Sequence, residues 1–359
     1  MNTGNSPPLT PRSSVPPSTR ILGIDVIRAL AILSVIYLHT TPPNYAGAPY
    51  DALWDVIAQF TRFAVPFFFI ASGYLLSRKL TLLPESASKV LPYIRRISSL
   101  YLIWYAIYLL FPHDWMTPLL EGNLKPFYWH LSHTLTTLTN DPLTFISKPT
   151  RVHLWFLPAL IFGASMLALA IRYRASQFFL PLASGLYVVG LLAEDYSNTR
   201  YGLTISPHWG IIIGFCYSPL FVGMGWKLAT GPIPKLSTAV LCIVIGFTLQ
   251  LAEASWIWHQ YGQSMRSSAY LIGTIPFGLG FMLLGLTLPP FRGDRMLAII
   301  GSMTLGIYLI HIWVKSLLHP LNKIFGGVVW ELSFPILVFA VSLLLTTRLS
   351  RSRFRSIVV

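Results

Sequence analysis

The sequence has little charge and almost no cysteine. Asp, Glu, Lys and Arg make up 11% of the 359 residues, whereas 54% are hydrophobic, and a soluble domain usually carries about 25% charged residues. This deficit excludes an ordinary soluble domain. The two cysteines, Cys216 and Cys242, lie in apolar runs, so we interpret them as small core residues rather than a disulfide or metal site.

Motifs of nucleotide, metal and serine-hydrolase sites are also missing. There is no Walker A loop, no Gly-x-Gly-x-x-Gly after a strand, no His-Glu-x-x-His and no serine nucleophile elbow. His130 and His133 lack the further ligands that a metal needs. We therefore expect neither a metal nor a permanently bound cofactor. The net charge of +14 is accompanied by no basic-aromatic RNA motif, so we expect no nucleic-acid partner.

What the sequence does contain is a series of apolar runs of about 20 residues, each long enough to cross a bilayer as a helix. Open strands cannot span lipid, and the alternating pattern of a barrel is missing. The expected fold is therefore an all-α, polytopic bundle of about ten transmembrane helices in the lipid bilayer. The expected spans are roughly 21–40, 53–77, 95–112, 152–171, 177–193, 208–226, 236–252, 269–288, 296–318 and 328–347.

The distribution of basic residues predicts the orientation. Most Lys and Arg lie in the connections on one side, which predicts that both termini are cytoplasmic in a multi-pass bacterial inner-membrane protein. Residues 1–20 are rich in proline and lack the apolar core of a signal peptide, so we expect a disordered cytoplasmic tail. Residues 21–348 form the expected membrane domain, and 349–359 a basic cytoplasmic tail.

Arg28 and His39 are two ionisable residues within the first span. Arg28 and His39 are eleven positions apart, close to three helical turns, so they share one face at about 16 Å separation along the axis. Charged and titratable residues inside a span are costly and usually functional. A neutral imidazole can take a proton from an alcohol. The alternatives are an ion pair between Arg28 and Asp25 and an interfacial His39 bonded to water.

Further polar residues accompany these two. Ser72 follows Pro66 in the second span and can form a hydrogen bond with a ligand or with its own backbone. Arg95 and Arg96 begin the third span. They can bind phosphates, or they can be ordinary basic residues of a cytoplasmic connection. His153 begins the fourth span with aromatic neighbours. His311 lies deep in the ninth and needs a partner or a cavity.

The nine histidines all fall on the predicted outer side or in the outer half of a span. An outward cavity that handles protons and hydroxyls explains this bias, as does the depletion of Lys and Arg from outer loops. The longest connection, 113–151, carries an amphipathic aromatic segment that we expect to lie in the interface or to re-enter the bundle.

Four segments together resemble acyltransferase family 3, the integral membrane acyltransferases, in the branch that contains the O-acetyltransferase of enterobacterial common antigen. They are Gly23-Ile-Asp25-Val-Ile-Arg28 with His39, Val65-Pro-Phe-Phe-Phe-Ile-Ala-Ser-Gly73, His153-Leu-Trp-Phe-Leu-Pro158 and Leu305-Gly-Ile-Tyr-Leu-Ile-His311, in family order across nearly the whole chain.

The resemblance implies transfer of an acyl group, typically acetyl, from cytoplasmic acyl-CoA to an outward-facing hydroxyl of a glycan or other exported acceptor. It implies that Arg28 and His39 are catalytic. We further expect Arg95 and Arg96 to hold donor phosphates, and Ser72, His153 and His311 to bind substrate. The chain departs from the family's Arg-x-x-Arg motif near the third helix, since Tyr93 and Ser99 flank Arg96 at three residues.

Two other functions remain open from the sequence. A transporter or exporter of a glycan or acylated metabolite would also need a polar cavity, although the internal repeat of many transporters is missing. A structural partner in an envelope complex could use the polar residues for helix packing alone. The acceptor, the acyl chain, the oligomeric state and the choice between direct transfer and an acyl-histidine intermediate are not determined by the sequence.

Overall fold

The computed structural model describes residues 21–40, 51–78, 80, 84–142, 145, 148–203 and 210–358, with the side chains of 84 and 210–212 left out. The described residues are helical, with short 3-10 turns and no strand, as the sequence predicts. Residues 1–20, for which we expect a disordered tail, lie outside the described part.

Fourteen α-helices are found in the described residues. They are α1 (Leu22–Thr40), α2 (Asp51–Thr61), α3 (Ala64–Ser77), α4 (Leu91–Leu110), α5 (Met116–Leu120), α6 (Lys125–Asn140), α7 (Phe156–Arg172), α8 (Ser176–Ala193), α9 (Gly210–Thr230), α10 (Leu236–Tyr261), α11 (Thr274–Thr287), α12 (Asp294–Ser302), α13 (Thr304–Leu318) and α14 (Val328–Ser350).

Each expected span coincides with a helix or a bent helix pair. Within the described residues, six helices are long and apolar enough to cross a membrane, or seven if the pair α12–α13, bent by 69°, is one span. The chain is thus a multi-pass membrane protein. The count of about ten crossings and the cytoplasmic placement of the termini stay predictions.

Helix α1 occupies the centre of the bundle, where it packs against α3, α11, α12, α13 and α14. This position explains why its residues from Ile24 to Ile36 are mostly buried. The second span is interrupted at Arg62 and Phe63, between α2 and α3. Pro66 lies in the first turn of α3, where the backbone N–H that proline lacks has no partner within the helix in any case.

Helices α3 and α9 approach so closely that glycine is required at their crossing. A Cβ on Gly73 would clash with the carbonyl oxygen of Val222, and one on Gly225 would clash with that of Ile70. In both cases the opposing atom is backbone, which cannot move aside as a flexible side chain can. Small residues at such crossings are how membrane helices gain close packing.

We expect Gly225→Ala to destabilise the bundle by about 3 kcal/mol, because the new methyl group must push α3 away from α9. The measurement is the temperature at which the detergent-solubilised protein loses its monodisperse elution. Gly185→Ala in α8 is the matched control, since a Cβ there meets no atom within 4 Å. Equal losses in both variants would contradict the close crossing.

The long connection and the C-terminal residues lie differently against the bundle. Helix α6 has no buried residue, so it lies on the surface rather than re-entering the bundle. The residues after Ser350 turn back onto the bundle: the Trp104 indole donates to the carbonyl of Ile357 at 2.7 Å, and Val358 is buried.

Candidate active site

Three histidines that are far apart in the sequence meet in the bundle. His39 lies in the last turn of α1, His153 in the 3-10 turn Val152–Trp155 before α7, and His311 in the middle of α13. The ring centroids are 6.1 Å apart for His39 and His153, 5.3 Å for His39 and His311, and 5.0 Å for His153 and His311. We call these three residues the histidine cluster.

The hydrogen bond of His311 fixes its tautomer. Its Nδ1 lies 2.6 Å from the backbone carbonyl oxygen of Tyr308, and because a carbonyl can only accept, Nδ1 carries the proton. Neutral His311 therefore presents a bare Nε2, and this buried atom has no hydrogen-bond partner among the described residues. A nitrogen in this state is available to take a proton.

His153 is held by its backbone rather than by its ring. The Tyr308 hydroxyl donates to the His153 carbonyl, and the Tyr108 ring meets the imidazole edge to face at 5.3 Å. Neither ring nitrogen has a hydrogen bond of good geometry within the described part of the chain. Buried polar atoms are normally paired, so these nitrogens are free for a substrate or for water.

The backbone of His39 is tied to the helix that carries His311. Lys315, one turn beyond His311 on α13, donates from Nζ to the His39 carbonyl at 2.5 Å. This bond satisfies one of the orphan carbonyls at the end of α1. It also fixes the last turn of α1 against α13, which holds the first and third members of the histidine cluster together.

A cavity of about 670 Å³ extends between the two polar positions of α1. Arg28 lines one end, and His39 and His153 line the other. Phe68, Phe156 and other apolar side chains form much of the wall between them. The cavity therefore joins a fixed cation to the histidine cluster through a largely apolar passage.

Four cations line this cavity: Arg28, Arg78, Lys89 and Arg96. No carboxylate is among the described residues that line it, although Arg28 Nη1 does bond Asp25 Oδ1 at 3.0 Å. The expected Arg28–Asp25 pair therefore exists and coexists with the cavity. A surplus of positive charge at one place is the arrangement that binds phosphates.

The structure brings together most of the residues that the sequence singles out. Arg28, His39, Ser72, Arg96 and His153 all line the cavity, and His311 completes the histidine cluster. Arg95 is not among the lining residues, so the binding role expected for it gains no geometric support.

Sequence reasoning missed four contributors. Arg78 and Lys315 were not singled out as site residues, and Lys89, which precedes Arg95 and Arg96 in the sequence, received no role of its own. Tyr93, which departs from the expected arginine motif, lines the cavity together with Ser72. The sequence spacing of these four residues does not indicate a shared site, because each residue reaches the site through the packing of a different helix or turn.

No metal centre accounts for the histidine cluster. Within the described ranges, no group of three or more His, Cys, Asp or Glu side chains is placed to hold a metal ion. The arrangement can instead move protons, since an imidazole can accept a proton and return it to a neighbouring group.

Comparison with known proteins gives a family match and several relatives. The family described as Acyltransferase domain, acyltransferase 3, matches residues 21–349. An amino-acid racemase of Enterococcus faecalis is 26% identical over 326 residues, covering 85% of this chain and 42% of that protein. A serine/alanine racemase of Enterococcus gallinarum is 26% identical over 314 residues, covering 84% and 42%.

The chain thus spans about two fifths of the length of the curated relatives it matches. No solved structure matches it significantly.

Proposed function

The chain belongs to the acyltransferase 3 family and is a membrane acyltransferase, and from this premise we propose that it moves an acetyl group from acetyl-CoA to a hydroxyl of a glycan acceptor. The observation that carries this proposal is the single cavity that joins four cations to the histidine cluster. A donor with a charged head and a reactive far end fits such a passage.

The cationic end suits the head of coenzyme A. Arg28, Arg78, Lys89 and Arg96 can pair with its phosphates by charge-assisted hydrogen bonds. The pantetheine arm is thin and largely uncharged, so it can extend along the apolar wall beside Phe68 and Phe156. The thioester then lies at the histidine cluster, about three turns of α1 away from Arg28.

The histidine cluster suits the transfer step. A histidine nitrogen takes the hydroxyl proton of the acceptor while the hydroxyl oxygen attacks the thioester carbonyl. When the tetrahedral intermediate collapses, the C–S bond breaks and the proton passes to the departing thiolate of coenzyme A. We assign the base to His39 because it lines the cavity on the same helix as Arg28, with His153 and His311 orienting it and the acceptor.

The proposed direction of transfer follows from the basic residues. Arg78, Lys89 and Arg96 belong to connections that the positive-inside rule places in the cytoplasm. The donor would then enter from the cytoplasm, where acyl-CoA is made, and the acceptor would approach the histidine cluster from the outer face. A multi-pass protein of the bacterial inner membrane has access to both.

The racemase activity in the names of the relatives is not proposed for this chain. The matched region covers 42% of each of those two proteins, and the family description of this region is an acyltransferase. Their similarity therefore supports a shared membrane domain.

Inverted membrane vesicles from cells that lack or express the protein provide the test. Acetyl-CoA labelled in the acetyl group is added outside the vesicles, and label is measured in the extracted glycan and lipid-linked glycan fractions. We expect incorporation only with the protein present, and a mass increase of one acetyl group on the modified glycan by mass spectrometry.

A transporter would give the opposite pattern: acceptor crosses the membrane, and no label is incorporated into glycan. That result would overturn the proposal. The control for nonspecific damage is His259→Ala, because His259 lies in the last turn of α10, contacts the neighbouring Trp258 ring and lines neither the cavity nor a second pocket that lies within residues 112–151.

A further inference from the structure

A second pocket lies within the segment 112–151, which leads into the 3-10 turn that carries His153. It has a volume of about 450 Å³ and is lined by His113, Asp114, Glu121, Asn123, Trp129 and Arg151, among others. We call it the Arg151 pocket. It is formed by the residues that follow α4, by α5 and by α6. The proposed acyl-transfer steps do not involve it.

The Arg151 pocket is connected to the histidine cluster by direct contacts. The Arg151 guanidinium lies over the Tyr108 ring at 5.5 Å, and the same ring contacts His153 edge to face, at 5.3 Å between centroids. Arg151 also precedes His153 by two residues. Tyr108 therefore links a lining residue of the pocket to a member of the histidine cluster.

Unlike the donor cavity, the Arg151 pocket has charges that are already engaged. Asp114 Oδ2 lies 3.0 Å from His319 Nδ1, and Glu121 Oε1 accepts from Lys323 at 2.6 Å. Arg151 donates to the carbonyls of Thr150 and Phe111 at 2.9 and 2.6 Å. No surplus of cations is left for a phosphate.

The two histidines of the pocket are also kept neutral. Burial, followed by smaller effects that include the Arg151 charge, lowers the pKa of His113 and of His130. At physiological pH both imidazoles therefore donate and accept hydrogen bonds as uncharged groups. The pocket thus favours an uncharged, hydroxyl-rich ligand over an anion.

An aromatic platform completes the pocket. Trp129 is 69% exposed and is stacked on His133 with centroids 5.2 Å apart. Because this stacking restrains the Trp129 side chain, a ligand that packs on the exposed indole face costs little further side-chain entropy. Asn123 Oδ1 accepts from the Lys125 backbone N–H at 3.1 Å, which leaves its amide N–H groups for a ligand. Sugar rings need such a combination, because they have apolar faces and hydroxyls that donate and accept.

Helix α6 places the pocket at a membrane surface. An exposed apolar row runs along it at helical spacing, formed by Leu124, Tyr128, Leu131, Leu135 and Leu138. A helix of this kind lies in the plane of the interface. A sugar carried on a membrane lipid would be held at the same depth.

We propose that the Arg151 pocket binds one neutral sugar unit of the acceptor, so that a neighbouring unit of the same glycan presents its hydroxyl to the histidine cluster. This inference rests on the proposed acyl transfer for its role, but binding of a sugar can be measured without any transfer.

Saturation-transfer NMR on the full chain in nanodiscs tests the pocket, with N-acetylglucosamine as the probe. We expect sugar signals from the wild type and a loss of at least fivefold in Trp129→Ala. Asn123→Ala is a second variant, in case the first fails to fold. The matched control is Trp258→Ala, because Trp258 is also an exposed tryptophan in contact with a histidine ring, with centroids 4.4 Å apart for Trp258 and His259.

Absent signals in the wild type, or equal signals in wild type and Trp129→Ala, would overturn the pocket assignment. Labelled acetyl-CoA separates the two proposals. Acetyl transfer that is unaffected by Trp129→Ala would refute the pocket and leave the enzyme standing. Sugar binding lost in Trp129→Ala without any acetyl transfer by the wild type would support the pocket and refute the reaction.

Discussion

Replacing His39 by alanine is expected to lower acyl transfer by about a thousandfold, within the range that a positioned general base contributes. The reason is geometric: His39 lines the donor cavity and contacts both other members of the histidine cluster. The backbone carbonyl that accepts from Lys315 is retained in the variant. The fold should therefore survive, and the thermal stability of the detergent-solubilised protein should stay close to that of the wild type.

The His311→Ala variant tests whether the cluster acts as a unit. Groups that act together in one step give strongly non-additive losses, so the double variant His39→Ala/His311→Ala should be little worse than either single one. Additive losses would mean that the two histidines serve separate steps. Normal acetylation by His39→Ala, with His259→Ala also normal, would contradict the proposed mechanism.

The His39→Ala variant also distinguishes direct transfer from transfer through an acyl-histidine intermediate. Wild-type protein is mixed with labelled acetyl-CoA in the absence of acceptor and quenched rapidly. Label that stays on the protein and disappears in His39→Ala indicates an acyl-histidine intermediate, in which the imidazole nitrogen attacks the thioester and releases coenzyme A. No label on wild-type protein that is active with acceptor indicates direct transfer.

The sequence predicts the shared face of Arg28 and His39, because helical geometry alone places both residues on one side of the first helix. Both residues line the same cavity. The close approach of His39, His153 and His311 could not be predicted from the sequence, because it depends on how α1, α7 and α13 pack. Only the resemblance linked these residues beforehand, and it did so without distances.

The sequence also does not show which cations line the cavity. Arg95 and Arg96 are adjacent and identical in the sequence, yet only Arg96 lines the cavity. Adjacent helix positions differ by about 100° around the axis, so the identity of the facing residue follows from the packing of α4. Arg78 and Lys89 lie in a connection, where no periodicity indicates a direction.

The double variant Lys89→Gln/Arg96→Gln is expected to raise the KM for acetyl-CoA by about a hundredfold, with kcat nearly unchanged. Each charge-assisted hydrogen bond to a phosphate contributes about 1.5 kcal/mol, and two such losses correspond to about a hundredfold in affinity. The phosphates lie far from the reacting carbon, so the ground state and the transition state lose the same interaction. Initial rates over a range of acetyl-CoA concentrations measure both constants.

Two controls make this prediction specific to the cavity. Arg172→Gln/Arg348→Gln removes the same net charge from exposed helix ends that do not line it, so its KM should stay within about twofold of wild type. S-acetylpantetheine lacks the nucleotide and its phosphates, and its KM should be equally high in the wild type and in Lys89→Gln/Arg96→Gln. An equal rise of the acetyl-CoA KM in both double variants would mean that diffuse surface charge, which salt screens, attracts the donor. The cations of the cavity would then not be its binding site.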